Sequence, residues 1–555
     1  MSPMGFEAGI SRKHFLTGSL VAAFAPFQAL AQNAPQTTYT VEDIKGAEKL
    51  AGITLTDEQR KTVLQTLSGS KEGIDKIRRA GISNEIPPAF NFVPQGKKPR
   101  SGYGNDVRTT KPKAVVRPAK DEDIAFLTVN ELSYLIQAKK LKSIELTEIY
   151  IARLKMFGPK LKNVITLTED HARLAALEAD AEIAKGKIRG PLHGIPYGLK
   201  DLFAAKEYPT TWGAEPYRNQ VLTYDSSVVE KLKEAGAILV AKTSLGALAY
   251  GDIWFGGQTL NPWNPKQGSS GSSAGSAAGI AAGLFAFAIG TETLGSVISP
   301  SQRCRVTGLR PTFGRTSRWG AMALSWTMDK VGPICRTAED CAIVLSAIHG
   351  ADQRDPMSVD YPFSYRPSVD LKRLKIGVVS SQDDVPKEIG SAGEILRGMG
   401  ATLKPVKISR SIDGVDEVLS IEAAAAFDEI TRDGRVDSMK GSLWPPIFRA
   451  SSMLTGVDYL QAMRTRSQVM KKFEEELGSF DLLITPETGG DLLVTTNLTG
   501  HPQLFIPMGL NNQGRPIGVS LIGRLYDEGT ILSVGNMLQQ ATSVYRNRPD
   551  LSALG

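Results

Sequence analysis

Residues 268–279, GSSGSSAGSAAG, continue without a break into IAAGLFAFAIG at 280–290. A Gly/Ser-rich stretch on its own is typical of a flexible linker, because such a chain has little reason to order. Here it is joined to an apolar run of the kind that packs in a core, and AGSAAGIAAGL predicts a closely packed helix of small residues. The Gly/Ser-rich stretch is therefore predicted to lie against the core and to be shaped by it.

Short β-branched runs alternate with helical segments along most of the chain. The strand-like runs include NVITLT (163–168), GAILVAKT (236–243) and LKIGVVSS (374–381). This alternation indicates an α/β protein in which helices pack on a largely buried sheet. We predict one domain over residues 116–555, with surface insertions in the less regular section that contains WPPIF (444–448).

A separate N-terminal arm is predicted over residues 32–115. Thr56 and Gln59 form the pattern of a capping box, and apolar residues follow at helical spacing, so we expect two helices between residues 40 and 80. The Pro-rich segment NEIPPAFNFVPQGKKP (84–99) is predicted to be an extended strap. A second capping-box pattern, Thr128 with Glu131, opens the next helical region.

The first 31 residues have the pattern of a secretory signal peptide. Arg12 and Lys13 precede an apolar run from about residue 15 to 27, and ALA follows at 29–31. SRKHFL at 11–16 resembles the twin-arginine export motif, with Lys13 in place of the second arginine. The apolar run is shorter than the ~20 residues of a transmembrane helix. We expect a periplasmic or secreted protein with no stable membrane insertion after cleavage.

Charge and cysteine usage argue against several functions. The net charge of the 555-residue chain is +7, but no dense Lys/Arg block is interleaved with aromatic residues, so nucleic-acid binding is not expected. Cys304, Cys335 and Cys341 lack the spacing of metal ligands, and we expect no metal and no cofactor. The cysteines are interpreted as buried thiols, and a Cys335–Cys341 disulfide is left open as the alternative.

Three polar residues stand in contexts that suit catalysis. Lys200 ends an apolar run punctuated by Gly and Pro, GPLHGIPYGLKDLF, and an interior lysine would be held neutral as a general base. A solvated surface lysine is the ordinary alternative. Ser272 and Ser296 each follow a glycine, and the turn GTETLGS offers backbone N–H groups for an oxyanion. Taken alone, each serine is more often a loop residue than a nucleophile.

Together these segments resemble the amidase signature family. The resemblance covers roughly residues 120 to 540, and the matching segments are GPLHGIPYGLKD, PTTWGA, GAILVAKTS, GSSAGSAAGIAAG, GTETLGS, GLRPTFGR, DKVGPICRTAED, FDLLITP, NLTGHPQLFIPMG and RPIGVSLIGRLYDE. Several dispersed motifs match in order, which makes the resemblance specific. It implies a single large α/β/α sandwich around a mixed β-sheet, here with a helical N-terminal arm.

The resemblance also implies a Ser-cis-Ser-Lys triad. Lys200 matches the family's lysine base, Ser272 matches the serine that passes the proton, and Ser296 matches the nucleophile. The peptide bond between Gly271 and Ser272 would be cis. The oxyanion hole would be formed by the backbone amides of Thr293, Leu294, Gly295 and Ser296. We therefore expect an exported amidase that converts a small carboxylic amide to an acid plus ammonia or an amine through a Ser296 acyl-enzyme.

The chain departs from the family's GTD-x-G-G-S-I-R pattern at three positions. Glu292 stands for Asp, Leu294 for Gly and Ile298 for Arg. The three catalytic positions are retained, so these departures are expected to affect substrate choice. Candidates for an acyl pocket near the motifs are the tryptophans Trp212, Trp254, Trp263 and Trp326.

Three other functions are left open by the sequence. The same triad permits hydrolysis of carbamates or esters. Within the family, the alternative is the glutamine-hydrolysing subunit of a tRNA-dependent amidotransferase, against which the signal peptide argues. A catalytically silent binding protein is the third, because fold alone does not fix function. A homodimer is compatible with the sequence, which does not determine the oligomeric state.

Overall fold

The computed structural model describes residues 39–79, 105–111, 115–380, 389–409, 411, 413–510 and 516–554. The predicted signal peptide (1–31) and the predicted strap (84–99) lie outside these ranges, and the predicted domain boundaries stay a prediction. In the ranges described, no helix combines the length and the apolar character that crossing a bilayer requires.

Seventeen strands are formed by the described residues. In chain order they are β1 (Asp106–Val107), β2 (Val164–Leu167), β3 (Pro196–Lys200), β4 (Ile238–Thr243), β5 (Ile253–Trp254), β6 (Gly257–Gln258), β7 (Leu260–Asn261), β8 (Asn264–Gly268), β9 (Phe287–Glu292), β10 (Thr307–Arg310), β11 (Lys330–Cys335), β12 (Ser364–Tyr365), β13 (Ile376–Val379), β14 (Leu403–Val406), β15 (Leu482–Pro486), β16 (Gln503–Leu510) and β17 (Pro516–Gly523). The predicted strands in NVITLT, GAILVAKT and LKIGVVSS are thus present as β2, β4 and β13.

Eleven of these strands form one mixed sheet, in the order β14-β13-β15-β17-β16-β10-β11-β9-β3-β4-β2. β9, β3 and β4 run parallel to one another, as do β14, β13 and β15, and the pairings between these groups are antiparallel. The parallel strands β3 and β9 lie side by side at the centre, which brings the ends of both to the same edge of the sheet.

Helices cover both faces of the sheet. The α-helices of the described residues are α1 (Val41–Ala51), α2 (Asp57–Arg79), α3 (Asp121–Ala125), α4 (Val129–Gln137), α5 (Ser143–Leu161), α6 (Glu169–Ala184), α7 (Ser227–Glu234), α8 (Ala274–Ala281), α9 (Ile298–Cys304), α10 (Ala338–Ile348), α11 (Gly390–Gly398), α12 (Glu417–Ala426), α13 (Asp428–Arg432), α14 (Trp444–Ser451), α15 (Gly456–Leu477), α16 (Asp491–Thr499) and α17 (Glu528–Thr542). The small-residue segment forms the helix α8, as predicted.

The core consists of two main layers, one on each side of the sheet. Successive residues of a strand point to opposite faces, and in β9 Phe287 and Ile289 belong to the layer that includes α10 and α17. Ala288, between them, belongs to the layer formed with α8 and α9. The predicted α/β/α sandwich around a mixed sheet is confirmed.

The N-terminal arm supplies α1 and α2. The predicted capping box is formed, since the Thr56 N–H donates to Gln59 Oε1 (2.8 Å) and the Gln59 N–H donates to Thr56 Oγ1 (3.2 Å). α2 packs against α14, which carries WPPIF. Trp444 and Phe448 are buried, so the prediction that this segment is a surface insertion is wrong. The error arises because the arm covers a helix distant from it in sequence.

Candidate active site

Lys200, the predicted base, is the last residue of β3 and is completely buried. Leu199 faces the α10 layer, so the alternation of the strand turns Lys200 toward α8 on the other face. Its amine lies 2.8 Å from Ser272 Oγ and 2.9 Å from Thr291 Oγ1. Burial lowers the pKa of Lys200 from 10.5 to about 7, because the charged form loses its hydration. An amine of this pKa is partly uncharged at neutral pH and can accept a proton.

Ser272 lies just before α8, at the end of the Gly/Ser-rich stretch, and is also completely buried. The peptide bond between Gly271 and Ser272 is cis, as the resemblance implies. A β-carbon at Gly271 would lie 1.8 Å from the Gly251 carbonyl oxygen, so no residue larger than glycine fits there. The stretch is therefore held by close contact with the rest of the protein, and it presents the Ser272 hydroxyl to Lys200.

Ser296 is joined to the Ser272 segment through the backbone. The N–H of Ser273 donates to the Ser296 carbonyl oxygen at 3.1 Å, and the Ser273 hydroxyl donates to the carbonyl oxygen of Thr291 at 3.2 Å. Ser296 itself is half-buried, whereas Lys200 and Ser272 are shielded from solvent. The structure thus brings the three predicted residues into one region, with Ser296 as the most exposed of them.

The turn after β9 carries the predicted oxyanion donors. Gly295 has a φ of +90°, a conformation that side-chain-bearing residues rarely adopt. In the part of the chain described, the N–H groups of Leu294, Gly295 and Ser296 donate no hydrogen bond to another residue. Unpaired N–H groups in a turn are suited to binding a developing oxyanion. Thr293 begins this turn and is buried.

Glu292 fixes the turn from beneath. Its carboxylate accepts from the N–H groups of Val297 and Ile298 at 2.9 and 3.0 Å and pairs with Arg310 at 2.8 Å. The Asn497 amide donates to the same carboxylate at 2.9 Å. Burial alone would raise the pKa of Glu292, but these partners hold it below its usual value. The carboxylate therefore anchors the start of α9, which follows Ser296.

Asp329 was not singled out from the sequence, although DKVGPICRTAED contains it. Its carboxylate accepts from the Thr293 hydroxyl at 2.6 Å and from the N–H groups of Leu324 and Ser325 at 2.8 and 3.1 Å. Burial raises the pKa of Asp329. Thr291, which contacts the Lys200 amine, was likewise missed. Their position in quoted motifs is the signal that was available.

Asp201, next to Lys200, joins three of the motifs. It forms a buried ion pair with Lys242 of VAKT at 2.7 Å, and its other oxygen accepts from the Thr211 N–H of PTTWGA at 2.9 Å. Removing one member of a buried pair leaves an uncompensated charge, which is strongly destabilising. The pair therefore fixes the end of β3, where Lys200 lies.

A cavity of about 340 Å³ adjoins this site and is lined by Thr291 and Thr293. Most of its wall is apolar or aromatic, with side chains from Trp319, Met322, Leu324, Trp326 and Met357. Of the four tryptophans considered from the sequence, only Trp326 lines it, and Trp319 was missed.

Cysteine and acidic clusters add no further chemistry. Cys304, Cys335 and Cys341 are free and buried, so the disulfide left open for Cys335 and Cys341 is not formed. Burial raises the pKa of Cys304 and Cys335, which keeps both thiols protonated. The described residues contain no group of three His, Cys, Asp or Glu side chains arranged to hold a metal ion.

A mixed α/β sandwich with a buried lysine, a contacting serine and an open turn defines a hydrolase of C–N amide bonds once its relatives are considered. The sequence model of the Amidase family matches residues 145–492, and the chain belongs to this family. Members of this family act on small amide substrates.

Similar proteins include both amidotransferase subunits and amidases. A glutamyl-tRNA(Gln) amidotransferase subunit from Geobacter metallireducens is 33% identical over 473 residues, which cover 75% of this chain and 97% of that protein. The structure of a peptide amidase from Stenotrophomonas maltophilia has 28% identity and a TM-score of 0.68, covering 77% of this chain and 98% of that one. An amidase family protein from Bacillus anthracis has 27% identity and a TM-score of 0.70, covering 78% and 94%.

Proposed function

We propose that this chain hydrolyses a carboxylic amide through an acyl-enzyme on Ser296, with Lys200 as the base and Ser272 as the proton bridge. The observation that carries the proposal is the buried Lys200 amine, whose pKa is about 7 and which lies 2.8 Å from Ser272 Oγ. A lysine costs free energy to bury, and such groups occur mainly at functional sites.

The proposed reaction conserves protons through a relay. Uncharged Lys200 takes the hydroxyl proton of Ser272, and Ser272 takes that of Ser296, whose oxygen forms a bond to the amide carbon. The carbonyl oxygen becomes an oxyanion opposite the N–H groups of the turn. As the C–N bond breaks, the proton returns through Ser272 to the leaving nitrogen. Water then attacks the ester by the same relay and releases the acid.

We further propose that the substrate carries an apolar group. The charged side chains in the cavity wall are already compensated, since Arg318 pairs with Asp355 at 2.8 Å and Arg354 pairs with Glu230 at 2.5 Å. A cavity of about 150 Å³ holds one benzene molecule, and this one is more than twice as large. A two-ring aryl group or an aliphatic chain of similar volume therefore fits better than a small or zwitterionic amide.

Glutamine hydrolysis within an amidotransferase is the second candidate function. It is favoured by the 33% identity to the Geobacter metallireducens protein, almost all of which is covered. Free glutamine carries an ammonium and a carboxylate, each of which needs a partner when buried. The paired charges and apolar side chains of the cavity favour the amidase, as does the predicted signal peptide.

We also propose that the mature protein works in the periplasm or outside the cell. The support is the order of basic residues, apolar run and small residues at 1–31. Cell fractionation and N-terminal sequencing of the recovered protein test this proposal. We expect a mature N-terminus close to residue 32 in the exported fraction, and a full-length protein confined to the cytoplasm would contradict it.

The nucleophile is tested with Ser296→Ala and a matched control, Ser299→Ala, which changes a neighbouring half-buried serine. A fluorophosphonate probe should add one label to the wild type and to Ser299→Ala, and none to Ser296→Ala. Loss of the nucleophile should lower kcat for an aryl amide by at least about 1,000-fold. A wild type that is folded but unlabelled would support the catalytically silent binding protein instead.

Substrate class is tested with a matched panel of acetamide, naphthoyl amide, decanoyl amide and glutamine, with an ester and a carbamate of the preferred acyl group. We expect the highest kcat/KM for an aryl or long-chain amide. Trp326→Ala should raise KM for the naphthoyl amide more than for acetamide, because it removes part of the cavity wall. A preference for glutamine would overturn the proposed substrate class and favour the amidotransferase function.

A further inference from the structure

The arm helix α2 lies outside the part of the chain that matches the Amidase family, which begins at residue 145. It packs against α12, α14 and α15, three helices near the site. α2 is therefore an addition to the family core, and its contacts lead from the arm toward the turn that carries Ser296.

A buried hydrophobic cluster is shared by α2 and the residues around the turn. We call it the arm cluster, and its buried members are Ile74, Ile77, Met328, Val415, Val418, Ala462, Met463 and Leu498. Leu294, from the turn itself, packs against this cluster. Leu294 replaces a glycine of the family pattern, so its side chain gives the turn an apolar anchor that the pattern lacks.

A polar route links the same helices to the turn. Glu422 of α12 accepts from the Ser325 hydroxyl at 2.7 Å and from the Thr327 N–H at 3.1 Å. Arg466 of α15 donates to the Thr327 carbonyl oxygen at 2.8 Å. The loop fixed in this way ends at Asp329, which accepts from the Thr293 hydroxyl. Displacement of α12 or α15 would therefore reach the turn through its hydroxyl contact as well as through Leu294.

α2 contacts both helices closely. Lys71 of α2 lies 3.4 Å from Asp458 in the first turn of α15. Gly73 of α2 lies against Gly414, just before α12, and a β-carbon at Gly73 would be 2.9 Å from the Gly414 α-carbon. Because the atom it would meet belongs to the backbone, no side chain can move aside to make room.

We propose that α2 is a positioning element for the turn at 293–296, and that Ile74 and Ile77 are positioning residues for catalysis. By closing the arm cluster over Leu294 and holding α12 and α15, α2 keeps the N–H groups of the turn aligned for the oxyanion. This inference rests on the proposed function, because it assumes that the turn carries the nucleophile.

The test compares two glycine-to-alanine variants of the same helix. Gly73→Ala forces α2 away from Gly414, whereas Gly69→Ala meets nothing within 4 Å. Both substitutions favour helix formation in α2, so a difference between them reports on displacement. We expect Gly73→Ala to lower kcat and the rate of fluorophosphonate labelling at Ser296 by about 2- to 30-fold with little change in KM. Gly69→Ala should match the wild type.

Unchanged labelling and kcat in Gly73→Ala would overturn the inference. So would equal losses in the two variants, or a loss no larger than the fall in folded fraction measured by circular dichroism. Labelling of the wild type at Ser296 is checked first. If it fails, the proposed function is wrong; if it succeeds and Gly73→Ala behaves like Gly69→Ala, only the role of α2 is wrong.

A double-mutant cycle tests the route through Leu294. If Ile77→Ala acts through Leu294, then Ile77→Ala with Leu294→Ala should be no slower in labelling than the slower single variant. Leu67→Ala is the matched control, since it removes a buried side chain of the same helix from a different cluster. Multiplicative losses with Ile77→Ala, or an equal effect of Leu67→Ala, would contradict the proposal.

Discussion

Amide hydrolysis by this chain should fall steeply below pH 7, because the proposed base is then protonated. Lys200 is completely buried, and loss of hydration lowers its pKa from 10.5 to about 7, although Asp329 and Glu292 act in the opposite direction. At ~1.36 kcal/mol for each unit of pKa, the interior disfavours the charged amine by about 5 kcal/mol relative to water. This free energy keeps the base uncharged where an ordinary lysine would be protonated.

The magnitude fixes the shape of the pH profile. With a single base of pKa about 7, the uncharged fraction is roughly a tenth at pH 6 and roughly a hundredth at pH 5. We expect kcat/KM for a neutral anilide, measured from pH 5 to 9, to follow this curve and to level off above about pH 8. A flat profile between pH 5 and 8 would refute the assignment of Lys200 as the base.

Asp329→Asn identifies the group that titrates. The Asp329 carboxylate raises the pKa of Lys200, so removing its charge should move the acid limb to lower pH, even if the plateau falls because the Thr293 contact is weakened. Disappearance of the limb in this variant would mean that Asp329 is the titrating group. Movement to higher pH would refute the electrostatic argument.

Three further outcomes are expected. Lys200→Met should be inactive but more stable: the unfolded chain binds the Lys200 proton between about pH 7 and 10.5 and the folded chain does not, so the gain in free energy of unfolding, up to about 5 kcal/mol, should be largest below pH 7 and vanish toward pH 10.5 in thermal unfolding. Glu292→Gln, which leaves buried Arg310 without its ion pair, should lower the free energy of unfolding by about 3–5 kcal/mol in urea titrations. EDTA should leave anilide hydrolysis unchanged, because the relay activates the nucleophile without a metal; loss of activity reversed by a metal ion would contradict this.

Local sequence patterns were sufficient for much of the fold. β4 and α8 could be predicted because β-branched alternation and closely spaced small residues act within a few positions. The resemblance then identified Lys200, Ser272 and Ser296, and the cis bond at Gly271 follows the same motif. These features depend on neighbours in sequence or on a pattern that the family repeats.

The features that were missed depend on distant contacts. Thr293 and Asp329 are 36 positions apart, and no local pattern indicates that their side chains meet. The surface prediction for Trp444 is wrong because only the packing of α2 against α14 buries this side chain. Trp319 lines the cavity whereas Trp212 does not, although both are near matched motifs. Side-chain direction in loops is set by tertiary packing, which one sequence does not reveal.

The departures at Glu292 and Ile298 leave the electrostatic conditions for an uncharged base in place. Ile298 brings no positive charge to the start of α9, yet the carboxylate beside it is compensated, because Glu292 pairs with Arg310 from β10. Asp329 is engaged by a hydroxyl and two N–H groups. With both nearby carboxylates bound to other partners, neither forms an ion pair with Lys200, and burial dominates its pKa. An uncharged lysine can therefore persist beside two acidic residues, which the proposed relay requires.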